Sequence, residues 1–107
     1  METVLVIEDS RPMQRTLQRL FEADSLGVRI ASDGEEGLDS FRNEPPNVVI
    51  LDLKLPGLSG KELCRSFSKP RASAIILSTM TLAGRTSWIR PTASPAITAA
   101  TSKFTQL

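Results

Sequence analysis

Three acidic side chains stand where apolar runs end. Glu8 and Asp9 follow Val4-Leu5-Val6-Ile7, and Asp52 follows Val48-Val49-Ile50-Leu51. Two such runs lying side by side as parallel strands would bring all three carboxylates to one sheet edge, which is where open α/β sheets hold their ligands. Like charges gathered there repel one another unless a cation joins them. An oxygen-only set suits a hard divalent ion such as Mg²⁺, which binds through one or two carboxylates with water and phosphate oxygens completing its shell. An Asp beside that ion is placed to accept a phosphoryl group. Each acid also has a plainer reading: a strand-end Asp often forms a turn, and Glu8-Asp9 precede Pro12 as acids favoured at a helix start.

The composition removes several other chemistries. There is no His, which excludes His-based acid–base catalysis, and Cys64 is the single cysteine, so an intrachain disulfide is impossible and a zinc site is disfavoured. Cys64 reads as a packing residue. The 107 residues suffice for one domain, at the short end for a doubly wound sheet. No run approaches the length of a membrane span, and the chain enters a strand pattern at once, so the expected location is the cytoplasm, with no membrane partner. Net charge is −5 over Met1–Glu62 and +6 over Leu63–Leu107. The six basic residues of the second part are spread thinly and lack interleaved aromatics, so nucleic-acid binding is not expected.

The elements that must position the acids follow from pattern. Thr3 to Ile7 is continuously apolar beyond its first residue, which suits a parallel strand buried on both faces. Met13, Leu17, Leu20 and Phe21 form the inward stripe of a helix ending near Ala23, with Gln14, Arg15, Gln18, Arg19 and Glu22 largely outside it. Gly27 to Ala31 reads as a second strand, and Glu35 to Arg42 as a weaker helix burying Leu38 and Phe41, in which Gly37 costs roughly 1 kcal/mol relative to Ala. Pro45-Pro46 ends that helix before the strand Val48–Leu51. A Leu-Pro-Gly turn follows Asp52, then a third helix starting near Ser59 or Gly60 and stopping before Pro70. Ala74 to Leu77 is a fourth strand, closed by Ser78-Thr79. Strands alternating with helices in this way signal a parallel sheet with right-handed crossovers.

The combination Val-Leu-Val-Ile-Glu-Asp-Ser, Val-Val-Ile-Leu-Asp-Leu-Lys-Leu-Pro-Gly-Leu-Ser-Gly and Ile-Ile-Leu-Ser-Thr resembles the receiver domain of two-component response regulators, over about Met1 to Thr79. The resemblance implies a flavodoxin-like doubly wound parallel sheet with strand order 2-1-3-4. It implies a phosphoacceptor signalling protein, not a conventional enzyme, although self-catalysed phosphotransfer and dephosphorylation belong to such a site. Asp52 would take the phosphoryl group from a histidine kinase or a histidine phosphotransfer protein. Asp9 would ligate Mg²⁺ directly, Glu8 would act mostly through water, and the backbone carbonyl of Lys54 would complete the protein ligands. Ser78 is the favoured switch hydroxyl, with Thr79 as the alternative.

Residues 80–107 depart from that pattern. They hold six Thr, five Ala, three Ser and two Pro with no acid, and show no clear period for a strand or a helix. The expected organisation is therefore a receiver core over 1–79 and an atypical segment over 80–107 in place of the usual helix 4, strand 5 and helix 5, so that the fifth strand is atypical or missing. Lys103, followed by Phe104 where the family has Pro, is the one candidate for a phosphate-contacting lysine. An uncovered edge of the fourth strand would invite self-association. The rival readings are a receiver acting as an interaction module without phosphorylation, and a haloacid-type phosphatase, which would need an Asp where Lys54 stands.

Overall fold

The computed structural model describes residues 2–52, 74–78, 85–89 and 94–105. Along the chain the elements are β1 (Thr3–Ile7), α1 (Arg11–Glu22), β2 (Gly27–Ala31), α2 (Gly34–Asn43), β3 (Val48–Asp52), β4 (Ala74–Ser78), β5 (Arg85–Ile89) and α3 (Pro95–Thr105). The strands lie side by side in the order β2-β1-β3-β4-β5. The first four are parallel, and β5 runs antiparallel to β4. The helix expected to begin near Ser59 or Gly60, the Leu-Pro-Gly turn and Cys64 lie outside the described residues.

The order 2-1-3 reverses at β1, because the chain leaves β1 in one direction to form β2 and crosses back over it to form β3. Right-handed crossovers then put α1 and α2 on opposite faces of the sheet, and burial follows. Val4, Val6, Val48 and Ile50 cluster with Leu17 and Phe21 of α1, with Leu26, and with Ile97 and Ala100 of α3. The alternate residues Leu5, Ile7, Val49 and Leu51 are fully buried as well. Side chains alternate faces along a strand, so the unbroken apolar runs record a sheet covered on both sides.

Gly37 shows how closely α2 lies on its face. A Cβ added there would stand 2.5 Å from Ile7 Cδ1 and 2.7 Å from Cγ1. The glycine weakens the helix in isolation but permits its approach to the sheet. Two contacts fix the ends of α2. Asp33 caps its start by accepting from the backbone N–H of Glu36 at 2.8 Å, and Arg29 of β2 donates to the Ser40 carbonyl and hydroxyl near its end, where a cation is favoured.

The fifth strand, expected to be atypical or missing, is present and atypical in its direction. β5 pairs with β4 over five positions, from Ala74 opposite Ile89 to Ser78 opposite Arg85. The reason for its direction is chain length: only residues 79–84 separate the two strands, whereas a parallel connection needs about a dozen residues or more. The β4 edge invoked for self-association is thus occupied by β5. The last helix forms although residues 80–107 show no clear helical period in sequence. Ser94 caps α3 by accepting from the Ile97 N–H at 3.2 Å, Pro95 takes the first helical position, where it is favoured, and Ile97 and Ala100 are fully buried. The Ser94 hydroxyl also donates to Glu2 Oε1 at 2.7 Å, tying the helix to the start of β1. Among the described residues no helix is long and apolar enough to cross a membrane.

Candidate functional site

Sheet register decides which expected residues meet. Ile7 of β1 pairs with Leu51 of β3, so the next residues along the two strands are Glu8 and Asp52. Across β3 and β4, Asp52 is the partner of Ser78. The carboxyl ends of β1, β3 and β4 therefore bring Glu8, Asp52 and Ser78 into one row at the edge where the strand order reverses, and Asp9 follows directly. Thr79 and Lys54 lie outside the described residues, as do the side chains of Asp52 and Ser78. Lys103 falls within α3. This places it on a helix, not at the end of a strand beside Asp52.

The acidic turn is built around Glu8. Its backbone N–H donates to the Ala31 carbonyl at 3.0 Å, continuing the sheet ladder by one step. Glu8 is 4% exposed, the single buried charged residue among those described, and its Oε1 accepts from the Ser10 N–H at 3.0 Å. Ser10 is the N-cap of α1 but makes no side-chain capping bond. The plainer reading of Glu8 as a helix-start acid thus holds in part, because its carboxylate satisfies a backbone donor just ahead of the helix. Asp9 is exposed, open to a hydrated ion.

In the sequence Gln14 is one residue of the polar face of α1. Its Nε2 donates to the Glu8 carbonyl at 2.6 Å and lies 3.4 Å from the Ser32 hydroxyl, and its backbone N–H donates to the Ser10 carbonyl at 2.9 Å. Ser32 in turn donates from its N–H to Glu36 Oε2 at 3.2 Å. The only sequence signal for this was spacing: Gln14 lies one helical turn beyond Ser10, and so returns toward the preceding turn.

Among the described side chains no three acids or thiols gather as a metal cage. Of the expected set, Glu8 and Asp9 are the two whose side chains are described. Their donors are oxygen only, one acid fixed and buried and the other open to solvent, which fits a hard, partly hydrated cation.

A parallel α/β sheet reversing at β1, with an acidic turn at the reversal, defines a flavodoxin-like domain with a ligand edge at its strand ends. Comparison with known proteins narrows this to a family: the response regulator receiver domain matches residues 4–89, and the chain belongs to that family. It is 38% identical over 78 residues to a probable transcriptional regulator, ycf27, of Porphyridium aerugineum, covering 73% of this chain and 32% of the relative. A response regulator receiver domain protein from Clostridium thermocellum superposes with a TM-score of 0.65 at 32% identity, over 72% of this chain and 64% of that one. The receiver domain of Saccharomyces cerevisiae Ssk1, crystallised with the histidine phosphotransfer protein Ypd1, gives a TM-score of 0.56 at 26% identity, over 60% of this chain and 44% of that one. The chain spans about a third of the length of the curated relatives it matches.

Proposed function

We propose that this domain receives a phosphoryl group on Asp52, with Mg²⁺ held by Glu8, Asp9, Asp52 and the backbone carbonyl of Lys54, and that the donor is a histidine kinase or histidine phosphotransfer protein. Membership in the receiver family assigns the domain to two-component signalling. The observation that carries the finer reading is the register: Asp52 is adjacent to Glu8 on one side and to Ser78 on the other. In the transfer, an Asp52 carboxylate oxygen attacks the phosphorus of a phosphohistidine; the O–P bond forms, the P–N bond breaks, and its electron pair leaves with the imidazole nitrogen. Mg²⁺ supplies positive charge against the phosphoryl oxygens. Asp9 faces solvent and takes the direct ligand position, while the buried Glu8 is held for a water-mediated one. Ser78 lies across from Asp52 and is the hydroxyl assigned to a phosphoryl oxygen, as the switch that reports phosphorylation; Thr79 is the alternative. Lys103, on α3, is the candidate phosphate contact from the tail. The cell interior is the location consistent with a kinase partner.

A second reading is a receiver that binds partners without being phosphorylated. It is favoured by one observation: β5 runs antiparallel to β4, so the residue it sets opposite Ser78 is Arg85, and the lysine sought as a phosphate contact, Lys103, lies on α3.

Incubation with a small acyl-phosphate donor and Mg²⁺, followed by intact-mass and peptide analysis, separates the two. The phosphoacceptor reading predicts one phosphoryl group, on the peptide containing Asp52, and none on Asp52→Asn. A folded wild-type protein that takes up no phosphoryl group supports the interaction module, and labelling that persists in Asp52→Asn moves the acceptor elsewhere.

A further inference from the structure

The acidic turn has to keep its shape where the sheet can no longer hold it. The Glu8 N–H makes the last ladder bond to Ala31, and from the Glu8 carbonyl onward the chain leaves the sheet. Three hydrogen bonds then fix the three residues Glu8-Asp9-Ser10. Glu8 Oε1 accepts from the Ser10 N–H at 3.0 Å. The Ser10 carbonyl accepts from the Gln14 N–H at 2.9 Å, and the Glu8 carbonyl from Gln14 Nε2 at 2.6 Å. Gln14 therefore grips both ends of the turn, and Asp9 sits between its two attachments. The same Nε2 lies 3.4 Å from Ser32 Oγ, and the Ser32 backbone is bound to Glu36 of α2. This links the turn to the neighbouring loop as well as to its own helix.

We infer that Gln14 is a positioning residue for the cation site: by holding the Glu8 carbonyl through its side-chain amide, it sets the direction in which Asp9 and Glu8 present their carboxylates. The inference rests on the Mg²⁺ reading given above. Groups that orient metal ligands without touching the metal commonly govern affinity about as strongly as a weak ligand does. The competing account is that Gln14 merely satisfies a carbonyl leaving the sheet. That account predicts a loss of stability with no change in ion affinity.

Two substitutions in the full chain separate these accounts by calorimetric titration with MgCl₂, alongside thermal unfolding without Mg²⁺. Gln14→Met keeps length and helix propensity and removes the donor. Gln14→Glu also removes the donor but adds a carboxylate near the site, so charge alone would strengthen binding, whereas loss of positioning weakens it. Both variants are expected to bind Mg²⁺ about tenfold more weakly, at the low end of what such orienting groups contribute. Ser32→Ala, which removes only the longer contact, is expected to change affinity in the same direction by less, and serves if a Gln14 variant does not fold. Wild-type affinity in Gln14→Met, or tighter binding in Gln14→Glu, overturns the inference while leaving the cation site standing. A wild-type protein that binds no Mg²⁺ overturns the site itself and this inference with it.

Discussion

The first half of the molecule and its tail reach the same core by different routes. From β1 to β3 the chain uses crossover helices, so each strand returns parallel to the last and the reversal at β1 opens an edge for acids. From β4 onward only six residues separate one strand from the next, which returns antiparallel, and the chain then adds one capped helix on the α1 face. Both routes end in full burial: Phe21 and Ile97 are each 0% exposed, in one cluster. The difference teaches how candidate site residues are placed. Parallel crossovers deliver residues to the carboxyl edge, as with Glu8, Asp9, Asp52 and Ser78. The tail contributes packing and sets Arg85 of β5 opposite Ser78, while its lysine is on a helix.

The sharpest test of this comparison is Ile97→Ala. If the tail belongs to the cooperative unit, deleting this buried side chain lowers the stability of the whole domain by about 2–5 kcal/mol. In denaturant melts, β1 and β3 would then lose hydrogen-exchange protection together with α3. Loss confined to α3 would show the tail to be an add-on to an independent half.

Gly37→Ala probes the other face. Helix propensity alone predicts a gain of about 1 kcal/mol. The approach of α2 to Ile7 leaves no room for the methyl group, and overpacking costs about 1–3 kcal/mol. A net loss is therefore expected in chemical denaturation, and a net gain would mean that α2 lies farther from the sheet than described. Ser94→Ala is expected to have the smallest effect, about 1 kcal/mol, since it removes the α3 cap and the bond to Glu2. Its signature is faster amide exchange at Ile97, with strands β1–β3 unaffected.

Legibility in the sequence followed the same division. The runs Val4–Ile7 and Val48–Leu51 were readable because a strand covered on both faces must be apolar at every position. The stripe from Met13 to Phe21 was readable because α1 buries a single face. The tail was harder. The residues Thr86-Ser87-Trp88-Ile89 carry β-branched and aromatic character, but the direction of β5 is set by the shortness of residues 79–84, not by its own residues. For α3 the signal was local: Ser94-Pro95 is a cap followed by a first-turn proline, and Ile97 and Ala100 are three apart. Small residues such as Ala100 leave little hydropathy contrast, so no period stood out. At the site, the acids could be read from their places at strand ends. Gln14 could not, because its role depends on a carbonyl whose exit from the sheet is visible only in three dimensions.

The cation and phosphoryl chemistry proposed for this domain is assigned to the edge formed by β1, β3 and β4, and not to α3. A Mg²⁺ titration followed residue by residue by ¹⁵N NMR tests it most directly. Saturable shifts should appear at the amides of Glu8, Asp9, Ser10, Asp52 and Ser78, with those of Ser102 and Lys103 unmoved. Shifts centred on α3, or none at Asp9 and Asp52 in the folded protein, would contradict it.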